Sequence, residues 1–366
     1  MIKREFNFRL SFLSSAPPPL IGVDIGSSAI KMVELNRSAQ GRFELNHYAI
    51  EPLPSDAMID GGINKIEVVG DALRRAWARM GTRTRKACMS LPTSSVVTKK
   101  IWLPSALVDE DLEIQVETEA SQYIPFAMDE VNLDFQPIGP APGNNDETIY
   151  FMVATRKANV EDRVAAAQAA GLKTTIVDVD SFAAQAAFDL VRPGLPAASA
   201  TEQIVALVDI GSHLISVNVM RNGESVYTRD HQTGGDVLNR QIQSMYGLSA
   251  EEAEIGKRKG GLPDGYEQDI LAPFCDNIGA EIARSIQFFY SATPYTEVHH
   301  LVLCGGGCML KGLPQAVSRH TGISTVVANP FADMQVSSKI SARQLLLDAP
   351  TLMIACGLAM RRFDPK

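Results

Sequence analysis

Short apolar runs and helical stripes alternate along the chain, and the alternation repeats itself. A run beginning at Leu20 ends in Val23-Asp24-Ile25-Gly26-Ser27, and the same five residues return as Val208-Asp209-Ile210-Gly211-Ser212, 185 positions further on. After the first copy come an extended run over 29–35, a polar turn over 36–41 and a second run over 43–50; after the second come 214–220, Asn222-Gly223 and 225–228. Asn-Gly between two extended runs is a strong hairpin signal, since both residues tolerate positive φ. Each half therefore opens strand, turn, strand, turn, strand. An identical string can arise by chance, but its agreement with the surrounding pattern points to two homologous α/β halves.

Helical stripes follow in both halves. Apolar residues recur every third or fourth position over 66–80 and stop at Gly81; a second stripe over 237–246, led by Gly234-Gly235-Asp236, stops at Gly247. Glycine readily takes the left-handed conformation that closes a helix. Between the halves the character changes. Residues 86–101 read as strands broken at Pro92, 109–123 as a helix with Pro125 beyond its end, 131–138 and 148–155 as strands around a polar turn over 140–146. An Ala-rich helix over 159–170, closed by Gly171, and a strand over 174–179 complete what reads as a small α+β insertion. The expected layout is an arm over 1–19, a first lobe core over 20–89 and 175–205, the inserted unit over 90–174, and a second lobe over 206–366 with a small subdomain at about 236–299.

In the arm, Phe6, Phe8, Leu10 and Phe12 alternate with polar residues before Pro17-Pro18-Pro19 stops any regular structure. Glu5 and Arg9 interrupt what would be the apolar core of a signal peptide. A loosely held arm is expected, the other reading being a short amphipathic segment that touches a membrane or partner.

With 366 residues, 45% hydrophobic and 21% charged, the composition is that of a globular chain of about two domains. The net charge of −8 argues against a broad nucleic-acid surface. An anionic ligand must then be held by local devices: backbone N–H groups, a few lysines or a metal. No apolar run approaches the ~18 residues that span a bilayer. The five cysteines are scattered; Cys304 and Cys308 stand four apart, but no second pair follows as a zinc site would require, so core thiols are expected. The six histidines show no Ser or Cys arrangement suggesting a nucleophile and base.

The two Asp-x-Gly-Ser turns are the sharpest chemical feature. A glycine just after a strand brings backbone N–H groups close to a phosphate, and the hydroxyls of Ser27, Ser28 and Ser212 add donors. Lys31, on the following strand, can point back at a phosphate as a charge-assisted donor. Aspartates cannot face phosphates directly; Asp24 and Asp209 suit a hydrated Mg²⁺ that bridges phosphate oxygens. A single copy would read as a tight turn with an Asx hydrogen bond; two matching copies favour a phosphate clamp of facing loops. Residues 301–304 form an apolar run into Gly305, Gly306 and Gly307, followed by Met309, a junction suited to close packing against a nucleoside or phosphate. Neither a P-loop nor the G-x-G-x-x-G dinucleotide fingerprint is present. Ser249 can cap a helix with Glu252 at its third position, and Glu254 and Lys257 then share a face; this is either a solvated helix start or a bracket for a nucleoside. Asp178 and Asp180 end a strand and can serve a metal or a water, Asp180 alternatively as a helix N-cap.

In their order these segments resemble the actin/Hsp70/hexokinase nucleotide-binding superfamily. The phosphate turns would be 22–31 and 206–219, the connecting helices 176–190 and 349–361, and the adenosine segment 300–314. Within it, residues 22–27 and 29–35, with Ala253-Glu254-Ile255-Gly256-Lys257 and the inserted unit, are similar to the PilM family of type IV pilus assembly, and more distantly to FtsA. The resemblance implies an α/β, actin-like (ribonuclease H-like) two-lobe fold with an FtsA-type inserted subdomain. It implies ATP with Mg²⁺ between the lobes. Gly26, Ser27, Ser28 and Lys31 would contact phosphates, with Asp24 and Asp209 around the hydrated metal. Gly211, Ser212, Gly234 and Gly235 would line the second lobe's side, Glu254 and Lys257 the adenosine, with Gly305, Gly306, Gly307 and Met309 below it. It implies a cytoplasmic adaptor, peripheral at the inner membrane through its partners. These would be a PilN-like bitopic membrane protein, whose N-terminal peptide docks between the first lobe and the inserted unit, and the pilus motor ATPases. FtsA-like proteins carry a terminal membrane helix that this sequence lacks after Arg361. Alternatives are an FtsA-like self-associating, filament-forming ATPase and a small-molecule kinase of the same superfamily. Fast hydrolysis is not expected, since no general base is evident in the sequence.

Overall fold

The computed structural model describes residues 17–196 and 203–364, so most of the expected N-terminal arm lies outside the described residues. Strand β1 (Ile21–Ile25) is buried along its whole length, and β2 (Ala29–Arg37) and β3 (Phe43–Pro52) fold back beside it as an antiparallel meander. A two-residue hairpin, β4 (Met58–Ile59) and β5 (Gly62–Ile63), leads to α1 (Ile66–Met80), closed by Gly81 at φ 67°. Strand β6 (Lys86–Leu91) lies parallel to β1. Then come β7 (Val96–Pro104), α2 (Asp109–Ala120), β8 (Val131–Ala141) and β9 (Asn144–Arg156). After α3 (Lys157–Ala169), β10 (Lys173–Val179) runs parallel to β6 and continues into α4 (Asp180–Val191).

The second half begins with the meander β11 (Ile204–Ile210), β12 (Ile215–Arg221) and β13 (Glu224–His231). Helices α5 (Gly235–Tyr246), α6 (Ala250–Lys259) and α7 (Ala272–Ala292) precede β14 (His300–Cys304), α8 (Leu313–Thr321) and β15 (Ser324–Val327). Short β16 (Gln335–Val336), α9 (Ala342–Asp348) and α10 (Met353–Met360) close the described chain. The sheets run β10-β6-β1-β2-β3-β16 and β13-β12-β11-β14-β15. Apart from β16 these are one order, three antiparallel strands and then two parallel ones. The repeat seen in the sequence is a repeat of topology.

Helix α10 is apolar on nearly every side because it is covered on every side. It joins residues of both sheets in one core, with Val33 and Leu35 from one lobe and Val205 and Leu207 from the other. Its backbone passes so close that a Cβ on Gly22 of β1 would overlap the Ala355 carbonyl, and one on Gly357 would overlap the Ala183 carbonyl of α4. The last segment thus packs on the first lobe: β16 pairs with β3, and α10 lies against β1 and β2. The expected second lobe over 206–366 runs too far by this measure.

The inserted unit is also shorter than its sequence pattern suggests. Strands β7, β9 and β8 form their own antiparallel sheet, covered by α2 through Val116 and Ala120. Helix α3 and β10 instead belong to the first lobe: Ala166, Ala167 and Ala170 share a core with Val69 and Leu73 of α1. Gly70 permits that approach, since a Cβ there would come 2.8 Å from the Ala169 methyl. The small faces that make α3 look like an independent Ala-rich helix are its packing surface. Likewise α5–α7 share one core with the second sheet.

Candidate functional site

The β1–β2 register sets Asp24 directly opposite Lys31, and the Lys31 Nζ lies 3.0 Å from Asp24 Oδ2. Asp24 is only 5% exposed. The turn between them is pinned by the Gly26 N–H donating to the Ala29 carbonyl at 3.1 Å. A Cβ on Gly26 would come 2.6 Å from the Lys31 Nζ, so a side chain here would push the ammonium off the turn. Ser27 and the exposed Ser28 form the tip.

Asp209 holds the matching place on β11, near the same ammonium. Burial acts to lower the Lys31 pKa, but Asp24, then Asp209 and Asp180, hold it above the ordinary lysine value. Burial pushes Asp209 up to about 6, with Lys31 pulling it back and Asp24 adding to the rise. Asp180 is pushed by burial up to about 7, against hydrogen bonds that lower it, with Asp24 and Asp209 adding to the rise. Turns from both lobes and the start of α4 therefore converge on one lysine. Three carboxylates share that ammonium, and the buried Arg163 guanidinium also feels two of them, Asp180 and Asp24.

Asp180, which the sequence offers either to a metal or water or as a helix N-cap, lies in the field of this cluster. It is not the N-cap of α4 but its first helical residue, and its Oδ1 accepts from the Thr93 N–H at 3.0 Å, the Thr93 hydroxyl and the Ser181 N–H. Asp178, two residues earlier, is a different case: Arg361 Nε donates to it at 2.6 Å, a structural tie between β10 and the end of the chain's last helix. A continuous strand would put these two aspartates, two residues apart, on one face; they part because β10 ends at Val179 and α4 begins at Asp180.

The second turn is held by α5. Gly211 N–H donates to Leu214 O at 2.9 Å, Gly235 N–H to Gly211 O at 3.0 Å, and Asp236 N–H to Ser212 O at 2.8 Å. Gly234 packs onto the turn so closely that a Cβ would meet the Ser212 carbonyl at 2.5 Å. Gly234 and Gly235 thus shape the turn through backbone contact. His213 is half-exposed beside it, its Nε2 3.9 Å from Asp236.

Gly305, at φ 84°, lets the end of β14 lie on Asp209: a Cβ would overlap its carboxylate and stand 2.7 Å from the Ile210 carbonyl. Gly307 donates to Ile210 O at 2.8 Å, while Gly306 faces open space. Met309, 43% exposed, stands at the rim.

The expected capping box at Ser249 and Glu252 is present and starts α6. Glu254 pairs with Lys257 at 2.7 Å and accepts from Asn239 Nδ2 of α5 at 3.2 Å. The Lys257 side chain is only 11% exposed, so the pair is more enclosed than a solvated helix start. Asn239 Oδ1 is buried with no hydrogen-bond partner. Lys311, just past the glycines, reaches Glu267 at 2.7 Å, and Tyr266 beside it feels the Glu254 charge. These contacts connect the surroundings of α6 to the glycine-rich turn.

Two other chemistries are closed off. Ser285, His231 and Glu281 line up, with His231 Nε2 2.5 Å from Ser285 Oγ and Nδ1 3.5 Å from Glu281. Ser285 is fully buried and its hydroxyl also donates to the Glu281 carbonyl, so no substrate reaches it. All five cysteines are free and buried.

Two sheets of one strand order, joined by a pair of buried helices and facing each other through matched Asp-x-Gly turns, define an actin-like two-lobed protein. Residues 22–363 match the family described as Type IV pilus assembly protein PilM, and the chain belongs to that family. Among solved structures it is similar to the PilM-PilN type IV pilus biogenesis complex (TM-score 0.78, 25% identical, covering 94% of this chain and 99% of that one). It shares its fold with ethanolamine utilization protein EutJ from Carboxydothermus hydrogenoformans (TM-score 0.55, 18% identical, covering 94% of this chain and 90% of that one). Cell division protein FtsA of Bacillus subtilis (strain 168) is 24% identical over 265 residues, covering 66% of this chain and 58% of FtsA, so the chain spans little more than half that relative's length. No helix among the described residues is long and apolar enough to cross a membrane.

Proposed function

We propose that the chain binds ATP with Mg²⁺ between its lobes and uses the nucleotide to set how it docks a PilN-like inner-membrane protein through that protein's N-terminal peptide. The observation that carries the nucleotide reading is the convergence of Asp24, Asp180 and Asp209 on Lys31. Among the described residues no three acidic, His or Cys side chains come close enough to grip a bare ion. The donor set therefore fits a hydrated Mg²⁺, an ion that keeps several of its waters and is held through them. Asp24 and Asp209 would hold it, and Lys31, Ser27, Ser28, Gly26, Gly211 and Ser212 would face the phosphates. Bound there, the metal supplies positive charge to the phosphate oxygens. The orphaned Asn239 Oδ1 beside Glu254 and Lys257 is an acceptor for a nucleoside amino or hydroxyl group, with Gly305, Gly306, Gly307 and Met309 below it.

The partner reading rests on family membership and on the likeness to the PilM-PilN complex. A ligand can bias docking only by binding the open and closed arrangements differently, and charges contributed by both lobes make the nucleotide such a ligand. Calorimetric titration with MgATP, with and without the N-terminal peptide of a PilN-like protein, tests both parts. The expected result is peptide affinity that shifts with ATP. ATP binding without peptide binding would overturn the adaptor role and favour a filament-forming ATPase or a small-molecule kinase. No ATP binding by the folded protein would overturn the nucleotide role.

A further inference from the structure

The first sheet ends in cations on the side away from the cleft. There β10, β6 and β3 begin and β2 ends, a strand's length from the Asp24 turn. Lys173 and Lys86, the first residues of β10 and β6, stand side by side in parallel register, with the Lys173 N–H on the Arg85 carbonyl at 2.7 Å. Arg83 lies in the turn before them, and Arg37 and Arg42 flank the β2–β3 turn. From β10 to β3 the row crosses five strands, about 20 Å at their usual spacing. All six residues are exposed, and none makes an ion pair among the described residues. Of the acids on these segments, Glu34 is buried and accepts from Thr84, and Asp364 pairs with Arg361, which leaves Glu44 against six cations. Neighbouring ammonium groups on adjacent strands repel unless an anion stands between them.

We propose that this edge is a membrane-contact surface, binding the phosphate headgroups of an anionic bilayer while the cleft at the other end of the sheet stays open. Two of its guanidinium groups are already held in place. Arg37 Cζ lies 4.7 Å from the ring centres of both Phe43 and Phe363. Arg85 Cζ lies 4.9 Å from that of Trp77, and its Nη1 donates to Gly171 O at 3.2 Å. Such stacking fixes a guanidinium without neutralising it, and a planar fork suits phosphate oxygens. Charge is also segregated along the molecule. The chain carries −8 overall, yet residues 82–86 hold three cations and no acid. Glu110, Asp111, Glu113, Glu117 and Glu119 sit on α2 of the inserted unit, which leaves the sheet at the opposite end, after Leu91 of β6. That separation turns the basic edge towards a negative surface. A protein partner is held on a desolvated apolar centre, and no large apolar side chain of this edge is exposed among the described residues. Single-stranded nucleic acid needs open rings for its bases, and here Arg37 and Arg85 cover them.

Flotation of the full chain with vesicles of phosphatidylglycerol and phosphatidylcholine in equal parts, against phosphatidylcholine alone, tests this. No partner peptide is present, so failure here leaves the docking reading above intact. Binding to the anionic vesicles that is lost at high salt is the expected result. Lys86→Ala with Lys173→Ala should weaken it at least tenfold, and Arg42→Ala with Arg83→Ala, on other elements, should repeat the loss. Arg284→Ala with Arg319→Ala removes as much charge from exposed positions of the second lobe and should leave binding unchanged. No binding by the wild type, or an equal loss in all three double variants, overturns the proposal. So does self-association without vesicles that Lys86→Ala with Lys173→Ala abolishes, which would give the edge to a second copy. Capture of RNA in preference to the anionic vesicles overturns it as well.

Discussion

Lys31 and Asp209 belong to different lobes, yet each shifts the ionisation of the other: the ammonium pulls the carboxylate down and the carboxylate holds the ammonium charged. With Asp24 at 3.0 Å and Asp180 in the same field, Lys31 is the cation on which the cleft is centred.

Lys31→Ala removes the counter-charge and the phosphate donor together. Affinity for ATP and ADP should fall roughly 10–100-fold, the range of a charge-assisted hydrogen bond, while adenosine binding changes little. Calorimetry with all three ligands checks this. Equal losses for all three would mean that Lys31 is not a phosphate contact.

Asp24→Ala should leave the fold intact but remove most of the Mg²⁺ dependence of ATP binding, because the hydrated ion loses its first-lobe anchor. Titrations with ATP at fixed and at chelated Mg²⁺ make the comparison. Unchanged Mg²⁺ dependence in the folded variant would remove Asp24 from the metal site.

Burial gives Asp180 and Asp209 a pH signature of definite sign. Their folded pKa values, about 7 and about 6, lie above the ordinary aspartate range, so the folded state holds protons that the unfolded chain has released. Their contribution to stability is full below ~4 and is lost as pH rises through 6 to 7. His231 works the other way: burial lowers its pKa, and its contribution is lost as pH falls below ~6.5. The difference between wild type and Asp209→Asn isolates the cluster. Without ligand, the variant should gain melting temperature relative to wild type at pH 7.5, keep part of that gain at pH 5.5 and lose it near pH 4. MgATP needs the carboxylates ionised, so wild-type affinity should rise over the same interval with release of protons, measurable in buffers of different ionisation enthalpy.

Much of this site is legible in the sequence, for a physical reason. The paired Asp-x-Gly-Ser turns, the helix 66–80 with its glycine cap and the capping box at Ser249 are local patterns, and local patterns survive without tertiary context. What escapes is decided by packing. Asp180 joins the cleft only because β10 lies beside β6 and starts α4 at its edge. Helix α3 reads as part of the insertion until Gly70 shows what its alanines pack on. The return of β16 and α10 to the first lobe likewise depends on contacts more than 200 residues apart.

Gly305 and Gly306 stand side by side in the glycine-rich turn and should behave oppositely. Gly305 has φ 84°, which costs an L-residue about 1–2 kcal/mol. A methyl there would also overlap the Asp209 carboxylate and press on the Ile210 backbone, with no room to relax because Gly305 N–H is tied to Pro350 O at 3.0 Å. Gly305→Ala should therefore destabilise the chain by roughly 2–4 kcal/mol, the range of strained backbone with a buried clash. A methyl on Gly306 would meet nothing within 4 Å, so Gly306→Ala should leave stability within ~0.5 kcal/mol. If the turn lies under a nucleoside, the same silent variant should weaken ATP binding. Urea unfolding and ATP titration of the two variants read both effects, and equal destabilisation would mean that the turn does not rest on Asp209.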